Sequence, residues 1–104
     1  MICAEFYTQP NGGLSGFCIS GHNGTAGEDI ICAAVSSAAY MTVNTITEIM
    51  NAEAQVTVED GYMLVRIFNK EITACRLLLE GFKLHMIGLE EQYPQNINVS
   101  YTEV

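Results

Sequence analysis

Apolar and polar residues alternate from the start of the chain, where Ile2, Ala4 and Phe6 interleave with Cys3, Glu5 and Tyr7. A period of two puts successive side chains on opposite faces of an extended backbone, so residues 2–8 are predicted to form a half-buried strand. The turn-forming run Gln9-Pro10-Asn11-Gly12-Gly13 follows, and residues 14–20 read as a second strand closing an antiparallel hairpin. That hairpin delivers Gly21-His22 at its end.

The period then lengthens. Thr25-Ala26-Gly27-Glu28 has the form of a capping box, in which the Thr25 hydroxyl accepts a backbone N–H of the first turn and Glu28 reaches back to the Thr25 N–H. A helix is expected from about Gly27 to Asn51, alanine-rich and free of proline. At about 100° per residue, Ile31, Val35, Ala38, Thr42 and Ile49 share one face, and Asp29, Cys32 and Ser36 share the opposite one. Residues 55–59 and 62–69 flank Asp60-Gly61, a hairpin signal that asks both central residues to accept positive φ.

Ile72, Cys75, Leu79, Phe82, Met86 and Leu89 restore a helical period over residues 71–92, which Tyr93-Pro94 stops. Ile97, Val99 and Tyr101 alternate with Asn98, Ser100 and Thr102 in a last strand, residues 97–104. The order ββαββαβ predicts an α+β fold, a mainly antiparallel sheet with two long helices packed on one face. A chain of 104 residues is expected to be a single domain, 1–104, long enough to bury its own core.

Twelve acidic residues against four basic ones leave a net charge of −8. Such a surface repels phosphate backbones and attracts basic partners, so no direct nucleic acid binding is expected. On composition alone, a charge of this size need only keep a rather apolar small protein in solution. The first residues lack the basic flank and apolar run of a signal peptide, and no uninterrupted apolar stretch approaches the roughly 18 residues of a membrane span. A cytoplasmic location without membrane attachment is expected. Cys3, Cys18, Cys32 and Cys75 are then expected as reduced thiols. They form no Cys-x-x-Cys pair, which argues against structural zinc, and three of the four are expected to be small buried hydrophobes.

His22 and Cys32 are the pair with chemical promise, because an imidazole that takes a thiol proton turns the sulfur into a nucleophile. The spacing alone is a weak signal, since a lone helical cysteine is more often core than catalyst. Cys32 also lies too deep in the helix for much help from its N-terminus, whose effect fades within the first turn. Gly21, Gly24 and Gly27 suit a closing loop or simply several tight turns. Asp29 either orients His22 or meets the helix dipole, and its position favours the dipole. His85, between Leu84 and Met86, is expected to be a packed or half-exposed side chain. The loop lacks both phosphate-binding patterns, the Gly-Lys-Ser/Thr ending and the G-x-G-x-x-G spacing.

Gly21-His22, followed by Gly27-x-Asp29-Ile30-Ile31-Cys32-Ala33-Ala34-Val35-Ser36, resembles the signature of the ribosomal-processing cysteine proteases, the Prp family of Gram-positive bacteria. Leu79-Glu80-Gly81-Phe82 and Glu91-Gln92-Tyr93-Pro94-x-x-Ile97 are similar to that family's second helix and its exit, so the likeness covers essentially the whole chain. The resemblance implies a cysteine endopeptidase with Cys32 as nucleophile and His22 as general base, supported by Asp29 and Ser36. It places Gly21, Asn23, Gly24, Thr25, Ala26 and Gly27 in a loop facing the substrate. It implies a homodimer needing no cofactor or metal.

The substrate it implies is a basic ribosomal protein precursor. The family removes the N-terminal extension of large-subunit ribosomal protein L twenty-seven, cutting after an aromatic residue and before a small one and leaving a basic mature end. The loop between His22 and Cys32 is shorter than is usual in the family, a departure that bears on geometry or substrate choice. A phage-derived paralogue acting on capsid or scaffold precursors is one alternative. A non-catalytic binding partner of ribosome-assembly factors is another, and a redox or acyl-carrier thiol is disfavoured by the lack of a resolving cysteine nearby.

Overall fold

In the computed structural model the described residues are 1–21 and 26–104, with side chains described for all of these except residues 26–29. The elements follow the expected order: β1 (Ile2–Thr8), β2 (Leu14–Ser20), α1 (Ala26–Asn44), β3 (Ala54–Glu59), β4 (Tyr62–Ile67), α2 (Ile72–Gln92) and β5 (Ile97–Glu103). The five strands make one sheet in the order β3-β4-β2-β1-β5. β1–β2, β2–β4 and β3–β4 are antiparallel, and β5 returns from α2 to lie parallel to β1. The fold is therefore α+β with a mixed, mainly antiparallel sheet.

Alternation along the strands gives the sheet one apolar face. Ile2, Ala4 and Phe6 of β1, Phe17 of β2, Met63, Val65 and Ile67 of β4 and Ile97 of β5 are all buried there. Ile31, Val35, Ala39 and Val43 of α1 and Cys75, Leu79, Phe82 and Met86 of α2 join them in one cluster, so both helices cover this face. At its centre the Phe17 and Phe82 rings lie 4.6 Å apart and Phe6 meets Phe82 at 5.6 Å, within the range where tilted aromatic pairs attract. The edge strand β5 is tied down as well: the Val99 N–H donates to the Glu90 carboxylate of α2 at 2.7 Å. Such cover blunts a free strand edge.

By length and hydropathy, residues 30–49 could cross a bilayer. Here the stretch is the core helix of the sheet, with Ile31, Val35, Ala39, Val43 and Ile46 turned inward and Ser36, Ser37, Asn44 and Glu48 outward.

Several local expectations are corrected. The long helix does not stay α-helical to Asn51; its last turn, Thr45–Ile49, widens to π spacing. Thr42, Thr45 and Thr47 donate hydroxyl hydrogen bonds to the carbonyls of Ala38, Met41 and Val43, competing with the backbone for those acceptors and loosening the ladder. Asn51 at φ 52° then ends the segment, and the Ala52 N–H reaches the Ile46 carbonyl at 2.9 Å. Ile49, assigned to the inner face, is 75% exposed because the widened turn rotates it outward.

In the β3–β4 turn only Gly61 takes positive φ, so Asp60 does not need the left-handed conformation. The capping box falls on residues 25–28 and lies outside the described residues and side chains.

Gly16 is where the sheet tolerates no side chain: a Cβ there would sit 2.1 Å from the Val65 carbonyl oxygen of the neighbouring strand. Gly81, exposed on α2, has nothing within 4 Å of that position. We expect Gly16→Ala to cost about 1–3 kcal/mol through forced backbone displacement. Gly81→Ala should instead gain up to about 1 kcal/mol of helix propensity. Urea unfolding midpoints of the two variants check both signs.

Candidate active site

The site begins with the rotation of α1. Its buried stripe runs through Ile31, Val35 and Ala39, and Cys32, Ser36 and Tyr40 each follow one residue later. One residue is about 100° of helix, so these three occupy the flank of α1. They do not lie opposite the core, as an inner stripe through Ala38 would place them. Cys32 is accordingly half-buried and packed against the core, while Ser36 and Tyr40 are exposed.

A cleft of about 530 Å³ lies between that flank and the sheet. Cys32, Ser36 and Tyr40 form its helical wall. Ile2, Ile19, Met63 and Val58 come from the apolar face of four different strands, and the β3–β4 turn adds Asp60 and Gly61 to the rim. Gly21 closes one end. Its N–H donates to the Gly61 carbonyl at 3.1 Å, its φ is +96°, and a Cβ would stand 2.3 Å from the Met1 carbonyl oxygen. The chain entering the loop is thus pinned between the N-terminal strand and the β3–β4 turn at a position only glycine fits.

The structure therefore brings Gly21, Cys32 and Ser36 to one cleft. His22, Asn23, Gly24 and Thr25 lie outside the described residues; Ala26, Gly27 and Asp29 occupy the first turns of α1, their side chains not described. Sequence reasoning missed Tyr40 and Val58. Tyr40 carried a signal, as it continues the four-residue spacing from Cys32 through Ser36. Val58 carried none, because only the pairing of β3 with β4, and of β4 with β2, brings it there. Among the described residues no group of three or more His, Cys, Asp and Glu side chains could hold a metal ion.

The four cysteines separate by environment. All are free thiols, and two are buried where three were expected: Cys18 and Cys75 are buried, Cys32 is intermediate and Cys3 exposed. Burial pushes the Cys18 thiol above its usual value, although hydrogen bonds from Tyr62 and Tyr7 oppose this. Tyr7 beside it is pushed up to about 12, chiefly by burial and then by Cys18 and Glu5. Cys75, within α2, is pushed up by burial and then by the charge of Glu71. A raised thiol is a poor nucleophile near neutral pH. Cys3 alternates onto the sheet face away from the helices, and His85 is exposed on α2; neither lines the cleft.

Cys32 thus lies half-buried at an open cleft, on the helix that follows the β1–β2 hairpin of this α+β fold. The sequence profile described as Cysteine protease Prp matches residues 1–98, and the chain belongs to that family. It is 25% identical over 105 residues to the ribosomal processing cysteine protease Prp of Staphylococcus aureus strains Mu50 and NCTC 8325, covering 97% of this chain and 99% of the relative.

Among solved structures, the S. aureus Prp bound to a substrate peptide superposes with a TM-score of 0.89 at 24% identity, covering 98% of this chain and 100% of that one. SMU.848 from Streptococcus mutans superposes with a TM-score of 0.86 at 30% identity, covering 100% and 99%. The protein is a cysteine protease of the ribosomal-processing family.

In the folded protein, iodoacetamide near neutral pH should label Cys3 and Cys32 and leave Cys18 and Cys75 until urea exposes them. Peptide mapping by mass spectrometry reads the order. The buried thiols also set a pH dependence. A group whose folded pKa is raised contributes stability that is fully present below its unfolded value, here 9.0, and lost as pH rises through the folded one. Urea midpoints should therefore fall on the alkaline side of pH 9 and regain part of the loss in Cys75→Ala at matched pH.

Proposed function

We propose that Cys32 is the nucleophile and His22 the general base of an endopeptidase that removes the N-terminal extension of large-subunit ribosomal protein L twenty-seven. The observation carrying this reading is that Cys32 alone of the four cysteines lines the cleft, beside Gly21, whose next residue is His22. The Cys32 thiolate attacks the scissile carbonyl, and His22 protonates the departing amine. A His22-activated water then hydrolyses the thioester. Asp29 and Ser36 support the pair, with Ser36 one turn along the same flank of α1.

The apolar floor suits an aromatic residue before the cut. The net charge of −8 suits a lysine-rich precursor, whose approach such a field accelerates. The enzyme acts in the cytoplasm as a homodimer, for which Leu77 and Leu84, exposed on α2, offer an apolar face.

Incubation with a peptide spanning the extension and its junction tests the reading by mass spectrometry. We expect cleavage after the aromatic residue, reduced more than about 10³-fold in both Cys32→Ala and His22→Ala, with unfolding midpoints unchanged. Retained cleavage in either variant rejects the assignment. Cleavage of a capsid precursor peptide in place of the ribosomal one would reassign the substrate to the phage class.

A further inference from the structure

The cleft does not end at Cys32. Tyr40 stands eight residues further along α1, about 12 Å at about 1.5 Å per residue. The floor crosses the strands: Ile19 pairs with Met63 and Met63 with Val58, so these side chains form a row from β2 to the free edge strand, each step about 4.8 Å. Val58 belongs to the sheet's apolar face, yet it and Tyr40 are each 45% exposed. Both line the cleft, so each offers it partly uncovered, largely apolar side-chain surface. An extended chain advances about 3.3 Å per residue, so 12 Å corresponds to three or four residues.

We propose that the substrate lies extended along this cleft, its segment N-terminal to the scissile bond running from Cys32 toward the sheet edge. Tyr40 and Val58 clamp a large apolar side chain three or four residues before that bond. The inference rests on Cys32 being the nucleophile. The occupant is the N-terminal segment for two reasons. It is the half that stays attached to Cys32 in the thioester and must be held while the amine leaves. An apolar floor also suits that segment better than the basic mature end on the other side of the cut. Tyr40 and Val58 are then specificity-determining residues of the protease.

The test uses two peptidyl chloromethyl ketones, each with phenylalanine next to the ketone. One carries leucine at the third and fourth positions back from the reactive carbon, the other alanine at both. Loss of chloride as the thiolate sulfur bonds the methylene carbon labels the cleft cysteine without turnover. Rates are read by intact-mass spectrometry, mapped to the cysteine, and divided by the iodoacetamide rate at the same thiol.

In the unaltered protein the leucine probe should react about ten- to a hundredfold faster at Cys32. The ratio should fall to near one in Tyr40→Ala and in Val58→Ser and persist in Tyr40→Phe. Labelling of Cys32 with no preference, or a preference that survives both variants, overturns the clamp while sparing the nucleophile. Labelling of another cysteine, or none by either ketone, overturns the nucleophile and the clamp with it.

Discussion

The packing of α1 on the sheet is the constraint from which the site follows. Once Ile31, Val35 and Ala39 are buried against the strands, the rotation of the helix is fixed, and the residue after each must lie on its flank. Burying a side chain such as Ile31 or Val35 is worth roughly 1.5–3 kcal/mol, so these two anchor that rotation. Cys32 therefore owes its half-buried position to its neighbours. Polar chemistry at the cleft is carried by a helix held in place by apolar contacts.

The sheet supplies the opposite wall. Because β4 lies between β2 and β3, the β3–β4 turn comes beside the end of β2, where Gly21 bonds to Gly61. The loop that leads to α1 leaves from that junction. Phe6, Phe17 and Phe82 fill the space between sheet and helices farther in, and Glu90 covers the far edge. The cleft opens where helical cover stops short of β3 and leaves Val56 and Val58 exposed on the face that is buried along β1, β2 and β4.

Most of this was legible in the sequence, because the period of apolar residues reports which side of each element is covered. β1, β2 and α2 read directly: of the apolar stripe expected on α2, Cys75, Leu79, Phe82 and Met86 are buried and Ile72 and Leu89 partly so. What failed depended on interactions the pattern does not carry. The π turn arises from threonine hydroxyls competing for carbonyls, and the rotation of α1 was offset because Ala38 and Ala39 are indistinguishable in composition. The far wall needed strand order, a nonlocal fact. The motif around Cys32 was readable as a resemblance, whereas its spacing from His22 was weak evidence alone.

Proteolysis through the Cys32 thiol on α1 leaves a covalent trace. The most direct measurement is acid quenching of a reaction with the ribosomal precursor peptide, followed by mapping of any acylated cysteine by mass spectrometry. The expected result is a thioester carrying the N-terminal fragment on the peptide that contains Cys32. An acyl group on Cys3, Cys18 or Cys75 would contradict it.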